Sequence, residues 1–149
     1  MAKKTFQGRT VVAGDITGKA LVSKQPFNPT SSYIENIWGG ATDKAPCTDQ
    51  DNKELYKKDL NGVVLCTTQC IGSSMGGGAF MAVAGLGVAP KAMLYSRHID
   101  AVSASGIVMA NVWQEKPIIT IDLLGDEFLD AVKTGQSVVI KKDGTVEVG

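Results

Sequence analysis

The chain has 149 residues, 44% of them hydrophobic and 20% charged, with fifteen basic and fifteen acidic side chains and a formal net charge of zero. This is the composition of one folded domain, taken as 1–149, and it lacks the basic excess that a nucleic-acid surface needs. No apolar stretch reaches the roughly 20 residues of a membrane helix, and no apolar leader follows Lys3-Lys4, so the expected setting is cytoplasmic, without membrane or nucleic acid as partner. Cys47, Cys66 and Cys70 lack metal-site spacing and are expected to be free thiols.

In chain order, "RTVVAGDITGKALVS" predicts a hairpin whose two β-rich runs, at Val11-Val12 and Ala20–Val22, flank a turn at "AGDITG". A long insert follows, roughly 25–60, with three prolines, a Gly-Gly pair and no period, which marks a functional loop. "GVVLCTT" predicts a buried strand, and "AFMAVAGLG" a short helix packed through Ala and Gly. "APKAMLYSR" predicts the next strand, "HIDAVSASGIVMANVWQEK" a longer helix, and "PIITID" a third buried strand. Cys66 and Trp113 are assigned to packing, Trp113 in the core or at an interface. "FLDAVKTG" predicts a short helix or turn, and "QSVVIKKDGTVEVG" a hairpin around Asp143-Gly144.

Alternation of strand and helix in the middle implies parallel pairing with right-handed crossovers, while the flanking hairpins imply antiparallel strands. The fold class is therefore α/β: a three-layer β/β/α arrangement with parallel central strands, helices on one face and antiparallel hairpins on the other.

The stretch "QCIGSSMGGG", 69–78, lies between a strand and a helix, which is where open α/β sheets bind ligands. Helix N-termini attract anions, and glycine allows close backbone approach. The loop reads either as an anion cradle carrying a serine, or as a tight turn with serines as N-caps. It is not a phosphate-binding lysine loop, because no lysine follows the glycines. Cys70 lies near the helix start, which is expected to lower its pKa. The single histidine, His98, stands beside Asp100, and nothing in the spacing joins it to the loop serines. A serine without a base can still act as an alkoxide where backbone N–H groups stabilise the charge.

Taken in order, "GDITGKALVSKQPFN", "IWGGATD", "LNGVVLCTTQCIGSSMGGG", "VAPKAMLYSRHIDAVSASGIVMANVWQEKPIITID" and "VKTGQSVVIKKDGTVEV" resemble the small swivelling domain of the aconitase X family, over nearly the whole chain. The resemblance implies the β/β/α swivel fold and a large aconitase X-type partner subunit. It implies that this chain alone binds no cofactor, and that iron or an iron–sulfur cluster sits in the partner. It implies that Ser73 is the catalytic base of a dehydration. Gly72, Ser74 and Gly76 would then hold the carboxylate or phosphate of a small substrate, with Trp38, Gly39, Gly40 and Cys70 at the rim of the site. Family substrates are cis-3-hydroxy-L-proline and mevalonate 5-phosphate; "MANVWQEKPIITID" resembles the bacterial form and points to the first. Ile71 and Met75 stand where cations are found in aconitase-type loops, so the loop lacks its usual positive charge. Two other readings stand beside this one. A swivelling phosphocarrier would need a histidine where "SASGIVMA" has Ala104. A non-catalytic interaction module fits the missing cation.

Overall fold

The computed structural model describes residues 2–149. Three consecutive strands, β4 (Val64–Thr67), β5 (Ala92–Tyr95) and β6 (Ile119–Asp122), are buried at every position. They read as near-continuous apolar runs because both faces are covered. β4 pairs parallel to β5, and β5 to β6. On the other side β4 pairs parallel to the second half of β3 (Ile16–Val22), in the register Leu21 to Leu65.

β3 joins the two parts of the sheet. Its first half, Ile16 to Lys19, pairs antiparallel with β7 (Ser137–Ile140), and only its second half belongs to the parallel set. β7 forms the expected hairpin with β8 (Thr145–Val148), and β8 carries β1 (Lys4–Gln7) as an outer strand. The full order is β1-β8-β7-β3-β4-β5-β6-β2, where β2 is Arg9–Val12. The three-layer β/β/α class is as expected.

The hairpin expected over 9–23 does not form. β2 pairs antiparallel with β6 at the far edge of the sheet, so three strands separate it from its successor β3. Between them the chain crosses the start of β6, where Gly14 packs so closely on Ile119 that a methyl group would collide with it. The turn residues thus serve a crossing instead of a tight turn. β2 is anchored by Arg9, whose Nε and Nη2 donate to the fully buried Asp122 carboxylate at 2.9 and 2.6 Å.

The insert at 25–60 is ordered and packed. It contains α1 (Pro29–Ser32) and α2 (Ile34–Gly39), and buries Phe27, Tyr33, Ala45, Cys47, Leu55 and Leu60. It shows no period because turns and side-chain caps hold it. Asn36 donates to the carbonyls of Ala41 and Lys44, and Asp59 accepts from the Ala45 amide.

α3 (Gly76–Gly85) and α4 (Ala101–Trp113) cover the parallel strands, followed by α5 (Asp126–Ala131). α3 starts three residues earlier than its apolar pattern predicts, so Gly76, Gly77 and Gly78 form its first turn. Glycine costs about 1 kcal/mol per residue relative to alanine inside a helix. Here it allows contact: a Cβ on Gly106 of α4 would run into the backbone of Gly77, and a Cβ on Gly77 would lie 2.6 Å from the Val102 carbonyl. Trp113, expected in the core or at an interface, is 71% exposed at the end of α4. Among the described residues no helix is long and apolar enough to cross a membrane.

Gly106→Ala is expected to lower stability by about 3 kcal/mol, because a backbone contact cannot move aside as a side chain can. In a domain of this size that is roughly a 6–12 °C loss in Tm by calorimetry. Gly78→Ala, with nothing within 4 Å of the added methyl, is expected to be neutral or stabilising.

Candidate active-site cleft

The end of β4 leads into Thr68, Gln69 and Cys70. There the insert returns: Phe27 accepts from Ile71 N–H and donates to the Gln69 carbonyl, both at 2.9 Å. This short pairing fixes the loop from one side and brings Asn28 and Pro29 beside it. Asn28 caps α1, its Oδ1 accepting from Ser31 N–H at 3.2 Å. The same side chain fills the space beside Gly72, which has φ +104°; a Cβ there would sit 2.6 Å from Asn28 Oδ1. Gly72 is required twice, by its left-handed backbone and by its neighbour.

Ser73 follows, exposed, at the start of a turn whose closing bond runs from Gly76 N–H to the Ser73 carbonyl at 2.9 Å. Met75 N–H donates to Ser73 Oγ at 3.1 Å. That bond, with the positive end of α3 beside it, favours a negative charge on the serine oxygen. The amides of Gly77 and Gly78 have no acceptor among the described residues, whereas that of Gly76 is used by the turn.

Pro29, Cys70, Ile71, Gly72, Ser73, Gly76, Asp100, Val102 and Ser103 line a cleft of about 210 Å³ at this point. The start of α4 forms its far wall. Asp100 caps that helix, its Oδ2 accepting from Ser103 N–H at 2.9 Å. Larger hollows lie elsewhere, one of about 580 Å³ at the opposite end of the parallel strands, lined without serine or cysteine.

The site residues read from sequence separate into two groups. Gly72, Ser73, Gly76 and Cys70 share the cleft. Ser74 lies next to Ser73, exposed, and does not line it. Trp38, Gly39 and Gly40 end α2 away from the lining residues, with Trp38 77% exposed and Gly40 closing the helix at φ +70°. Asn28, Pro29, Asp100 and Ser103 were not read as site residues. Their signals are nonetheless in the sequence, since "NPTS" and "DAVS" are N-cap starts.

Cys70 differs from expectation. Its thiol is buried, 3.2 Å from Tyr95 Oη, and burial pushes its pKa up to about 12 despite hydrogen bonds from Ser103 and Tyr95 that favour the thiolate. Proximity to a helix start is outweighed by desolvation. Cys66 is also raised by burial. Among the described residues no three His, Cys, Asp or Glu side chains come together as a metal site, so the residues present do not fit an iron or iron–sulfur centre. His98 is outside the cleft: its Nδ1 lies 2.6 Å from the Ile99 carbonyl and its Nε2 3.3 Å from Arg9.

Comparison with known proteins follows this geometry. The family profile described as the aconitase X swivel domain matches residues 5–148. The chain is 29% identical over 144 residues to the phosphomevalonate dehydratase small subunit of Archaeoglobus fulgidus, covering 96% of this chain and 97% of that one. It is 28% identical over 145 residues to the protein of the same name from Thermococcus gammatolerans, covering 96% of each. The crystal structure of Thermococcus kodakaraensis aconitase X in its holo form superposes with a TM-score of 0.81 over 98% of both chains at 22% identity, a likeness of fold.

Buried acids with raised pKa values predict a pH dependence. Cys70 keeps its proton in the folded chain up to about pH 12, but in the unfolded chain it loses it near the ordinary thiol value of 9.0. The unfolded state therefore binds fewer protons above that value, and stability, fully present below pH 9, falls as pH rises. Tyr33, Tyr95 and Cys66 act in the same direction. The urea midpoint is expected to drop between pH 8 and 10.5, and to drop less in Cys70→Ala; equal drops would contradict the assignment to Cys70.

Proposed function

Because the chain belongs to the aconitase X swivel-domain family, we propose that it is the small subunit of a two-chain hydro-lyase that removes water from a small hydroxy carboxylate. The observation that carries this reading is Ser73, an exposed hydroxyl that accepts an N–H bond just before α3, in a surface cleft.

In the proposed reaction Ser73 Oγ, as an alkoxide, takes the proton from the carbon next to the substrate carboxylate. The electron pair of that C–H bond becomes the new C=C bond. The hydroxyl on the neighbouring carbon leaves with its bonding pair. Met75 N–H supports the alkoxide. The substrate carboxylate would lie at the positive end of ten-residue α3, whose first residue, Gly76, lines the cleft. The cleft is small compared with the roughly 300–1,000 Å³ of complete ligand sites, as half a site should be. Iron is assigned to the large aconitase X-type partner, and no step here runs through it. Without that partner the chain is expected to be inactive.

Two substrates are in view. Mevalonate 5-phosphate is the one in the names of the archaeal relatives. cis-3-Hydroxy-L-proline is favoured by the lining of this cleft, which contains no Lys, Arg or His to receive a phosphate.

Ser73→Ala, assayed in the reconstituted pair, is expected to lower kcat by roughly a thousandfold, within the range of about 10²–10⁴ for removal of a general base. Assembly should be unchanged by gel filtration. Turnover within threefold of the parent would remove Ser73 from the mechanism.

A further inference from the structure

The exposed apolar side chains gather on one layer of the molecule. Among the described residues ten large hydrophobic side chains are exposed, and all but Leu123 lie on the helices or on the loop that enters them. Five belong to α4: Val102, Val108, Met109, Val112 and Trp113 form a stripe turned away from the buried Gly106, Ile107 and Ala110. Ile71 and Met75 belong to the loop before α3, and Ile34 and Trp38, four residues apart, to α2. The outward face of a surface helix normally carries charge. Neither α3 nor α4 contains a single Asp, Glu, Lys or Arg. Scattered exposed apolar residues need no explanation, whereas a charge-free group of them that includes Met and Trp has the make-up of an interface core.

The opposite layer shows how this chain builds a face meant for water. There Lys141 pairs with Glu147 at 2.8 Å, and Lys3 approaches the same carboxylate at 3.8 Å. Two features decide what covers the apolar layer instead. It is continuous with the Ser73 cleft, because Ile71 and Val102 belong to both. A body seated on α4 therefore also meets the mouth of that cleft. The cleft in turn has no Lys, Arg or His in its lining, so its occupant must bring the missing groups. A second copy of this chain would bring only another cleft without them. A larger subunit with site residues of its own would supply them.

We propose that the outer face of α4, with Ile71 and Met75 at the mouth of the cleft, is the surface on which the large subunit docks, through an apolar patch of its own, and that Trp113 is the anchor. This rests on the small-subunit reading above and names where the two chains meet. Trp113 is a large, rigid side chain with 71% of its surface still in water, the kind of group that carries binding energy once a partner covers it. It stands roughly 17 Å along the helix from Val102, at 1.5 Å per residue, so it acts on assembly and not on the chemistry at Ser73.

The test titrates the full-length chain into the purified large subunit by calorimetry and follows the mass of the free chain by sedimentation. Met109→Lys and Trp113→Glu place a charge on the stripe, and Leu123→Lys places one outside it. All three free chains are expected to melt within about 2 °C of the parent, because each side chain is exposed. Met109→Lys and Trp113→Glu should each raise the Kd of the pair by about thirtyfold or more, the loss typical of an interface anchor. At saturating large subunit their kcat should stay within about threefold of the parent, and Leu123→Lys should bind as the parent does. A pair that assembles and turns over with both α4 variants at the parent Kd overturns the docking face and leaves the dehydratase reading standing. A free chain that is a dimer, separated into monomers by the same substitutions, gives the face to a second copy and also overturns the proposal. Ser73→Ala that keeps its turnover in a pair disrupted by Trp113→Glu removes the base and leaves the docking face standing.

Discussion

Two glycine backbones in contact set the geometry on which the cleft depends. Gly77 in the first turn of α3 and Gly106 in the middle of α4 touch without side chains between them. The helices therefore cross closer than larger residues permit, and their first turns converge on one side of the parallel sheet. Three consecutive glycines weaken the start of α3 as an isolated helix. The crossing offsets that cost through close packing against α4, and Phe80 and Val83 of the same helix are completely buried.

The chemistry follows from which groups this convergence leaves in contact with water and which it does not. Ser73 remains open, next to the positive end of α3. Cys70, only three residues earlier, turns inward to Tyr95, and desolvation keeps it a thiol. Hence the serine hydroxyl is left accessible, while burial holds the cysteine neutral. The insert contributes from the other side. Phe27 pairs with the loop, and Asn28 fills the space that only a glycine at position 72 leaves free. Insert and helices together make a rigid wall that presents one reactive oxygen. A wall with one exposed hydroxyl and no basic group is an incomplete site, which agrees with relatives named as small subunits.

Much of this was legible from residue order. β4, β5 and β6 are buried on both faces and so read as unbroken apolar runs, and the β7–β8 hairpin carries its Asp143-Gly144 turn. The strand-to-helix junction that carries Ser73 was legible because glycines and hydroxyls are concentrated there. What was not legible depends on long-range contact. The pairing of β2 with β6 instead of β3 is anchored by an ion pair between Arg9 and the buried Asp122, 113 residues apart. The insert has no period, since Asn36, Asp59 and Asn52 hold it through side-chain bonds. Asp100 was visible as a neighbour of His98, but its place opposite Ser73 exists only once α3 and α4 cross. The expected low pKa of Cys70 considered the helix start and not the depth of burial.

The central claim is that this chain presents Ser73 as the base of a site completed by another subunit. A structure of the two-chain complex with substrate or product bound tests it most directly. The account predicts Ser73 Oγ within about 3.5 Å of the carbon that loses its proton, the reach of a positioned base. It also predicts the substrate carboxylate at the start of α3, beside Gly76. A ligand bound entirely within the large subunit, with the Ser73 cleft turned to solvent, would contradict it.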